Sequence, residues 1–103
     1  MGIPVILTQQ SRDDLQIIVR RIARDSPDRA RAFGNLLIDK ALSISSLPER
    51  GRIVPELNES SVREIIHGSY RIVYEIFQDP ASVYVLRFWH AARGVPNLDR
   101  PPV

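Results

Sequence analysis

The sequence predicts an α+β fold of two layers, in which an antiparallel helical hairpin packs on a mainly antiparallel sheet in the order β-α-α-β-β-β. Three observations carry this. The stretch from Val62 to Arg93 holds three runs rich in Val, Ile, Tyr and Phe, namely VREIIH, YRIVYEIF and SVYVLRFW, which suit a pleated, half-buried surface. Turn signals separate the runs: Gly68-Ser69 supplies a short hairpin and Gln78-Asp79-Pro80 a longer turn. Such a meander needs a cover on one face, and two apolar stripes of helical period precede it.

Taken in order, Ile3 to Thr8 reads as a short strand with Pro4 near its start. Ser11 then begins a helix, with Asp14 three residues on in a capping-box-like start. Leu15, Ile18, Val19, Ile22 and Ala23 form its buried stripe over roughly residues 11–24, with Arg12, Arg20, Arg21 and Arg24 outside. Ser26 and Pro27 suit the cap and first position of a second helix over 27–46, whose stripe is Ala30, Phe33, Leu37, Ala41 and Ile44. Gly34 marks a weak point in that helix or a close approach of the two. Pro48, Gly51 and Pro55 make residues 45–61 a loop, and strands follow at 62–67, 70–77 and 82–89.

In the middle strand Tyr70, Ile72, Tyr74 and Ile76 share one face, with Arg71, Val73, Glu75 and Phe77 on the other. In the last, Val83, Val85, Arg87 and Trp89 alternate with Tyr84, Leu86, Phe88 and His90. Both faces carry bulky apolar groups, so the face away from the helices is expected to bind something. One domain over residues 1–94 and an extended, mobile proline-rich tail over 95–103 complete the layout.

Composition excludes several functions. The 103 residues contain no cysteine, which removes disulfides, thiolate nucleophiles and cysteine-held metals. No apolar run approaches the roughly 20 residues of a membrane span, and MGIPVILTQQ has no signal-peptide character. A cytoplasmic protein without membrane attachment is expected. The formal net charge is +2, yet of 14 basic residues only Lys40 is not arginine. Arginine forks suit carboxylates and phosphates, though a GC-rich genome yields the same bias.

Motif searches find no phosphate loop, dinucleotide fingerprint, HExxH or GxSxG. His67 and His90 lie in different strands with no cysteine near, so neither metal nor cofactor is expected. His67 reads as a solvated turn residue; His90, after Trp89, ends a strand. Arg71 in the middle strand and Arg93 past the last one could meet on one surface and hold a phosphate or carboxylate. For Arg71 an ion pair with Glu64 or Glu75, the latter on its own strand face, is the plainer reading. Arg93 has no acid within four residues and is the better candidate for contact with a target.

The run VREIIHGSYRIVYEI, followed by VYVLRFWHAARG, resembles the ParE branch of the ParE/RelE superfamily of type II toxin–antitoxin systems. The preceding LPERGRIVPEL is similar to that branch's loop, in which a P..GR.VPE pattern leads into VRE. The resemblance runs from about Ile3 to Gly94. It implies the same fold, and a small antitoxin that wraps the toxin in a hetero-oligomer. Apolar groups on the sheet and a groove beside the helices are expected to accept its amphipathic helix or added strand.

RelE-type members are ribosome-dependent mRNA endonucleases. Their chemistry needs a base for the ribose 2′-OH, cations for the phosphate and an acid for the leaving oxygen. On that resemblance Arg63, Arg71, Arg93 and His90 would be the catalytic set. The match is thin: Arg63 replaces lysine and is a poor base, Glu64 adds negative charge, and no tyrosine follows Tyr84. ParE-type members, associated with plasmid stabilization and poisoning of DNA gyrase, are the better match. That implies an inhibitor without catalysis of its own, meeting nucleic acid only through its target or antitoxin. Its target-binding residues would be Trp89, His90, Arg93 and Arg71. A non-toxic member that keeps antitoxin binding is the third alternative.

Overall fold

The computed structural model describes residues 2–101. β1 (Val5–Leu7) leads into α1 (Gln9–Ala23) and α2 (Pro27–Leu42); two 3-10 turns, Ser43–Ser46 and Pro48–Arg50, then reach a short β2 (Arg52–Ile53). The meander β3 (Val62–His67), β4 (Tyr70–Gln78) and β5 (Ala81–His90) follows, closed by a 3-10 turn at Ala91–Arg93. The sheet has the order β1-β5-β4-β3-β2, with β1 parallel to β5 and every other pair antiparallel. β2 was not expected: Arg52 and Ile53 pair with Glu64 and Arg63 inside a segment that composition marks as loop.

The helices form where the stripes place them, with one correction. α1 is capped by Thr8 rather than Ser11, because Thr8 leaves β1 beside β5. Its hydroxyl donates to the Val85 carbonyl (2.8 Å) and accepts from the Ser11 N–H (3.2 Å), so two elements specify the cap. Ser11 is instead buried in the first turn, its hydroxyl on the Thr8 carbonyl. Ser26 caps α2 through the Arg29 N–H, with Pro27 at the first position. A Cβ on Gly34 would lie 2.9 Å from Val19 Cγ2, so the glycine serves the close approach of the two helices. The β4–β5 turn is shorter than expected, two residues (Asp79 and Pro80) joined by a cis peptide.

A bulge in β5 corrects the expected alternation. Tyr74 faces Val85 and Val73 faces Arg87, which leaves Leu86 as an extra residue. Parity flips there. Val83, Val85 and Phe88 all enter the inner core with Ile18, Leu37, Ile44, Ile72 and Tyr74, whereas Leu86 joins a second cluster with Val54, Val62 and Val73. The outer sheet face is therefore not open. The chain after β2 and the tail cover it, with Leu98 packed on the second cluster and Pro96 buried. The tail forms neither helix nor strand, and its residues 96–100 are docked on the body.

Tyr74, wholly buried, reaches through the inner core to the loop before β2. Its hydroxyl donates to the Pro48 carbonyl (2.6 Å) and accepts from the Gly51 N–H (3.0 Å). Burial pushes its pKa up, and the Gly51 N–H opposes that. Gly51 has no room for a side chain, since a Cβ there would stand 2.8 Å from the Glu64 carbonyl oxygen. Tyr74→Phe strips two buried backbone groups of their partner and is expected to cost about 1–3 kcal/mol in urea unfolding. A loss well under that range would mean that the hydroxyl does not hold the loop.

Candidate functional site

The outer face is a row of paired charges. Glu64, with no exposed side-chain surface, accepts from Arg52 Nε (2.6 Å) across β2–β3 and from Arg71 Nε (2.5 Å) on β4. Arg71 closes a fork on Glu56 with bonds of 2.7 and 2.9 Å. Of the two partners expected for Arg71, Glu64 is therefore found and Glu75 is not: Glu75 is held by Arg100 (2.7 and 3.0 Å), which also reaches Glu59 at 2.8 Å. The reason is reach: the tail brings Arg100 over Glu75, while the chain after β2 brings Glu56 over Arg71. Arg87 forks onto Asp14 of α1 with two bonds of 2.7 Å and donates to the Asn97 carbonyl. The Phe88 N–H also donates to Asp14, which satisfies β5 beyond the end of β1.

Electrostatics follow from these pairs. The Arg71 hydrogen bonds hold the Glu56 carboxyl below the usual carboxylate range, against a smaller desolvation. The Glu56 and Glu64 carboxylates in turn raise the Arg71 pKa, and Glu75 and Glu59 raise that of Arg100. Every buried side-chain polar atom among the described residues has a partner.

The end of β5 differs. Arg71 and Trp89 are register partners on the outer face, and the Trp89 indole N–H donates to the Gly94 carbonyl (3.0 Å). Two guanidinium groups lie against the indole ring, Arg87 at 4.7 Å and Arg93 at 3.9 Å from its centroid. Arg93 is exposed, and no carboxylate pairs with it among the described residues. His90 lies on the inner side, edge-on to Tyr70 (5.1 Å), and its Nδ1 accepts from the Ala92 N–H (3.1 Å). Arg93, His90 and Arg21 of α1 share a small cavity of about 90 Å³. Arg21, read from sequence only as an outward helix residue, had no signal to place it there.

The proposed nuclease set is therefore divided. Arg63 points to the inner side, where it donates to the Glu49, Gly51 and Ser60 carbonyls. Arg71 is on the opposite face and fully engaged. Trp89, His90 and Arg93 come together at the strand end, with Arg71 behind the indole. Among the described residues no group of three metal-ligating side chains occurs, and no helix is long and apolar enough to cross a membrane.

A profile for the ParE toxin of type II toxin–antitoxin system, parDE, matches residues 5–95. The chain belongs to the ParE toxin family. Its fold is that of solved toxins. It is similar to a chain of the chromosomal ParDE system from P. aeruginosa, with a TM-score of 0.70 at 13% identity, covering 86% of this chain and 96% of that one. It is also similar to a chain of the RelBE2 toxin–antitoxin complex from Mycobacterium tuberculosis, with a TM-score of 0.64 at 24% identity, covering 87% and 99%. At these identities the likeness establishes the fold. No curated protein matches the sequence significantly. For this ParE-family chain, the resemblance carried by VREIIHGSYRIVYEI and VYVLRFWHAARG is thus correct at the level of family.

Two expectations follow from the charge row. Arg71→Ala leaves the buried Glu64 without its β4 partner, and breaking such a pair costs about 3–5 kcal/mol, read as a lower urea midpoint at unchanged slope. Glu56 has a depressed folded pKa, so its contribution is complete above the unfolded value near about 4.3 and drains away as pH falls through the lower folded value. The stability gap between wild type and Glu56→Gln should stay constant above about pH 5.5 and close on acidification. A gap that persists in acid would remove Glu56 from the network.

Proposed function

We propose that this chain is a toxin that acts by binding DNA gyrase, is held inactive by a cognate antitoxin, and performs no chemistry of its own. The observation that carries this reading is the contrast along β5. Arg93, laid on Trp89 and unpaired, is a cation poised for a partner, whereas Arg63 and Arg71 are occupied on opposite faces. General acid–base chemistry needs a titratable group within reach of the reacting proton. His90 has one ring nitrogen committed to the Ala92 N–H, and Asp14, which lines the same cavity, is taken up by Arg87 and the Phe88 N–H. The ParE membership supports gyrase as the target class.

The helical face supports the antitoxin. Ile22, Ala32, Phe33, Leu36 and Tyr70 line a shallow apolar groove of about 390 Å³, rimmed by Arg29, which suits the apolar stripe of an amphipathic helix.

Induction of the protein alone separates the alternatives. Gyrase poisoning predicts an SOS response and filamentous cells with messenger RNA intact; prompt loss of full-length messenger RNA would overturn the proposal in favour of a nuclease. Arg93→Ala is expected to remain within about 1 kcal/mol of wild type, since it loses only an exposed cation–π contact, and to grow where wild type does not. A folded, fully toxic Arg93→Ala protein would remove Arg93 from the target-binding surface.

A further inference from the structure

The tail, one of the two segments that close the outer face, lies at the margin of the family match, which ends at residue 95. Beyond it, three side chains tie the tail down: Pro96 is buried, Leu98 fills the edge of the second cluster, and Arg100 spans Glu75 and Glu59. Leu98 and Arg100, two apart in the chain, both reach the outer face, one onto the second cluster and the other onto Glu75. The groove beneath has apolar walls from Val54, Val73 and Leu86, and at one end Glu75, whose side chain is 7% exposed. Arg100 is the ion-pair partner of Glu75 among the described residues. Without a guanidinium there, a nearly buried carboxylate has no counter-charge.

The ties themselves are light. Each hydrogen bond between residues 96–100 and the body uses a side chain on at least one side: Arg87 donates to the Asn97 carbonyl, Gln10 exchanges bonds with Asp99, and Arg100 donates to its two acids. No sheet or helix holds the segment. It leaves the body at Gly94, where φ is +80°, and at Val95, which is 66% exposed. A strap of this kind excludes competitors only as well as its three side-chain anchors allow.

We infer that the outer groove is a docking site for an extended segment of a partner protein carrying an apolar residue and, two positions on, an arginine, and that the tail occupies it as a removable strap. The apolar residue takes the place of Leu98 beside Val73 and Leu86. The arginine takes that of Arg100 on Glu75 and Glu59. Charge complementarity decides the occupant: a segment without the cation strands Glu75, and an acidic one repels it. This does not depend on gyrase being the toxin's target.

The test uses the full-length chain and a fluorescent peptide, GVPNLDRP, copied from residues 94–101. In a Leu98→Ser/Arg100→Ser variant two of the three anchors are weakened while the groove is intact. The peptide should bind this variant at least tenfold more tightly than wild type, and Glu75→Gln added to the variant should abolish the gain. A peptide with alanine in place of its arginine should not bind. Equal binding to wild type and variant, no binding to the variant, or indifference to Glu75 would each overturn the inference. If the double variant loses its near-UV signature, Arg100→Gln alone carries the same comparison, with an expected gain of at least threefold. A wild-type dimer that dissociates on Leu98→Ser would assign the groove to the tail of a second copy and would also overturn it.

Discussion

The outer half of this structure depends on one buried carboxylate. Glu64 sits in the middle of β3 with no solvent on its side chain, and an ionised group in that position is tolerated only when its oxygens are paired. Arg71 and Arg52 supply the pairs from either side, and each imposes a further condition. Arg52 must lie in register with Glu64, which gives β2 its place. Arg71 carries a second fork, which draws Glu56 and with it the chain after β2 across the sheet. The same logic runs on through Arg100 on Glu75 and Arg87 on Asp14. The result is a face assembled by charge around a small apolar cluster, opposite a face assembled mainly by apolar packing. Such networks add little net stability over an apolar replacement; their use lies in admitting few alternative arrangements.

That difference explains what could be read in advance. α1, α2 and the three meander strands are set by periodic apolar burial, a local pattern that survives in a single sequence. The elements that escaped are set by partners distant along the chain. Thr8 became a cap because Val85 lies beside it; β2 is only two residues long; Arg71 has the expected Glu64, but its second acid is Glu56 because separate connections bring them together. The bulge at Leu86 leaves no mark in composition, since VYVLRFW alternates acceptably in either parity. The tail looked free because proline excludes helix and sheet, yet docking by side chains needs neither.

The candidate site shows the same division. Trp89, His90 and Arg93 are close in sequence, and the strand end keeps them close in space. Arg63 and Arg71 were grouped by resemblance to nucleases, and the pleat separates them onto two faces. Arg21 enters from α1 without any sequence signal. What distinguishes the strand end is an imbalance: most other arginines on the sheet have an acid, and Arg93 has an indole. Stacking orders a guanidinium while leaving its hydrogen-bond donors open, which an ion pair does not do.

The pairing of β1 with β5 carries a consequence for how the protein comes into being. Val5 aligns with Val83, and Thr8 finds its carbonyl partner 77 positions away. Closing so long a loop has a high entropic cost until the intervening chain is compact. The first strand to leave the ribosome must therefore wait for the last, while β3, β4 and β5 can zip through short turns. β5 is also the strand that joins the parallel and antiparallel parts of the sheet. A chain cut short before residue 81 lacks that strand and with it Trp89, His90 and Arg93, so interrupted synthesis leaves no partly armed fragment. Translation must pass residue 93 before the domain has either its full sheet or its cationic tip.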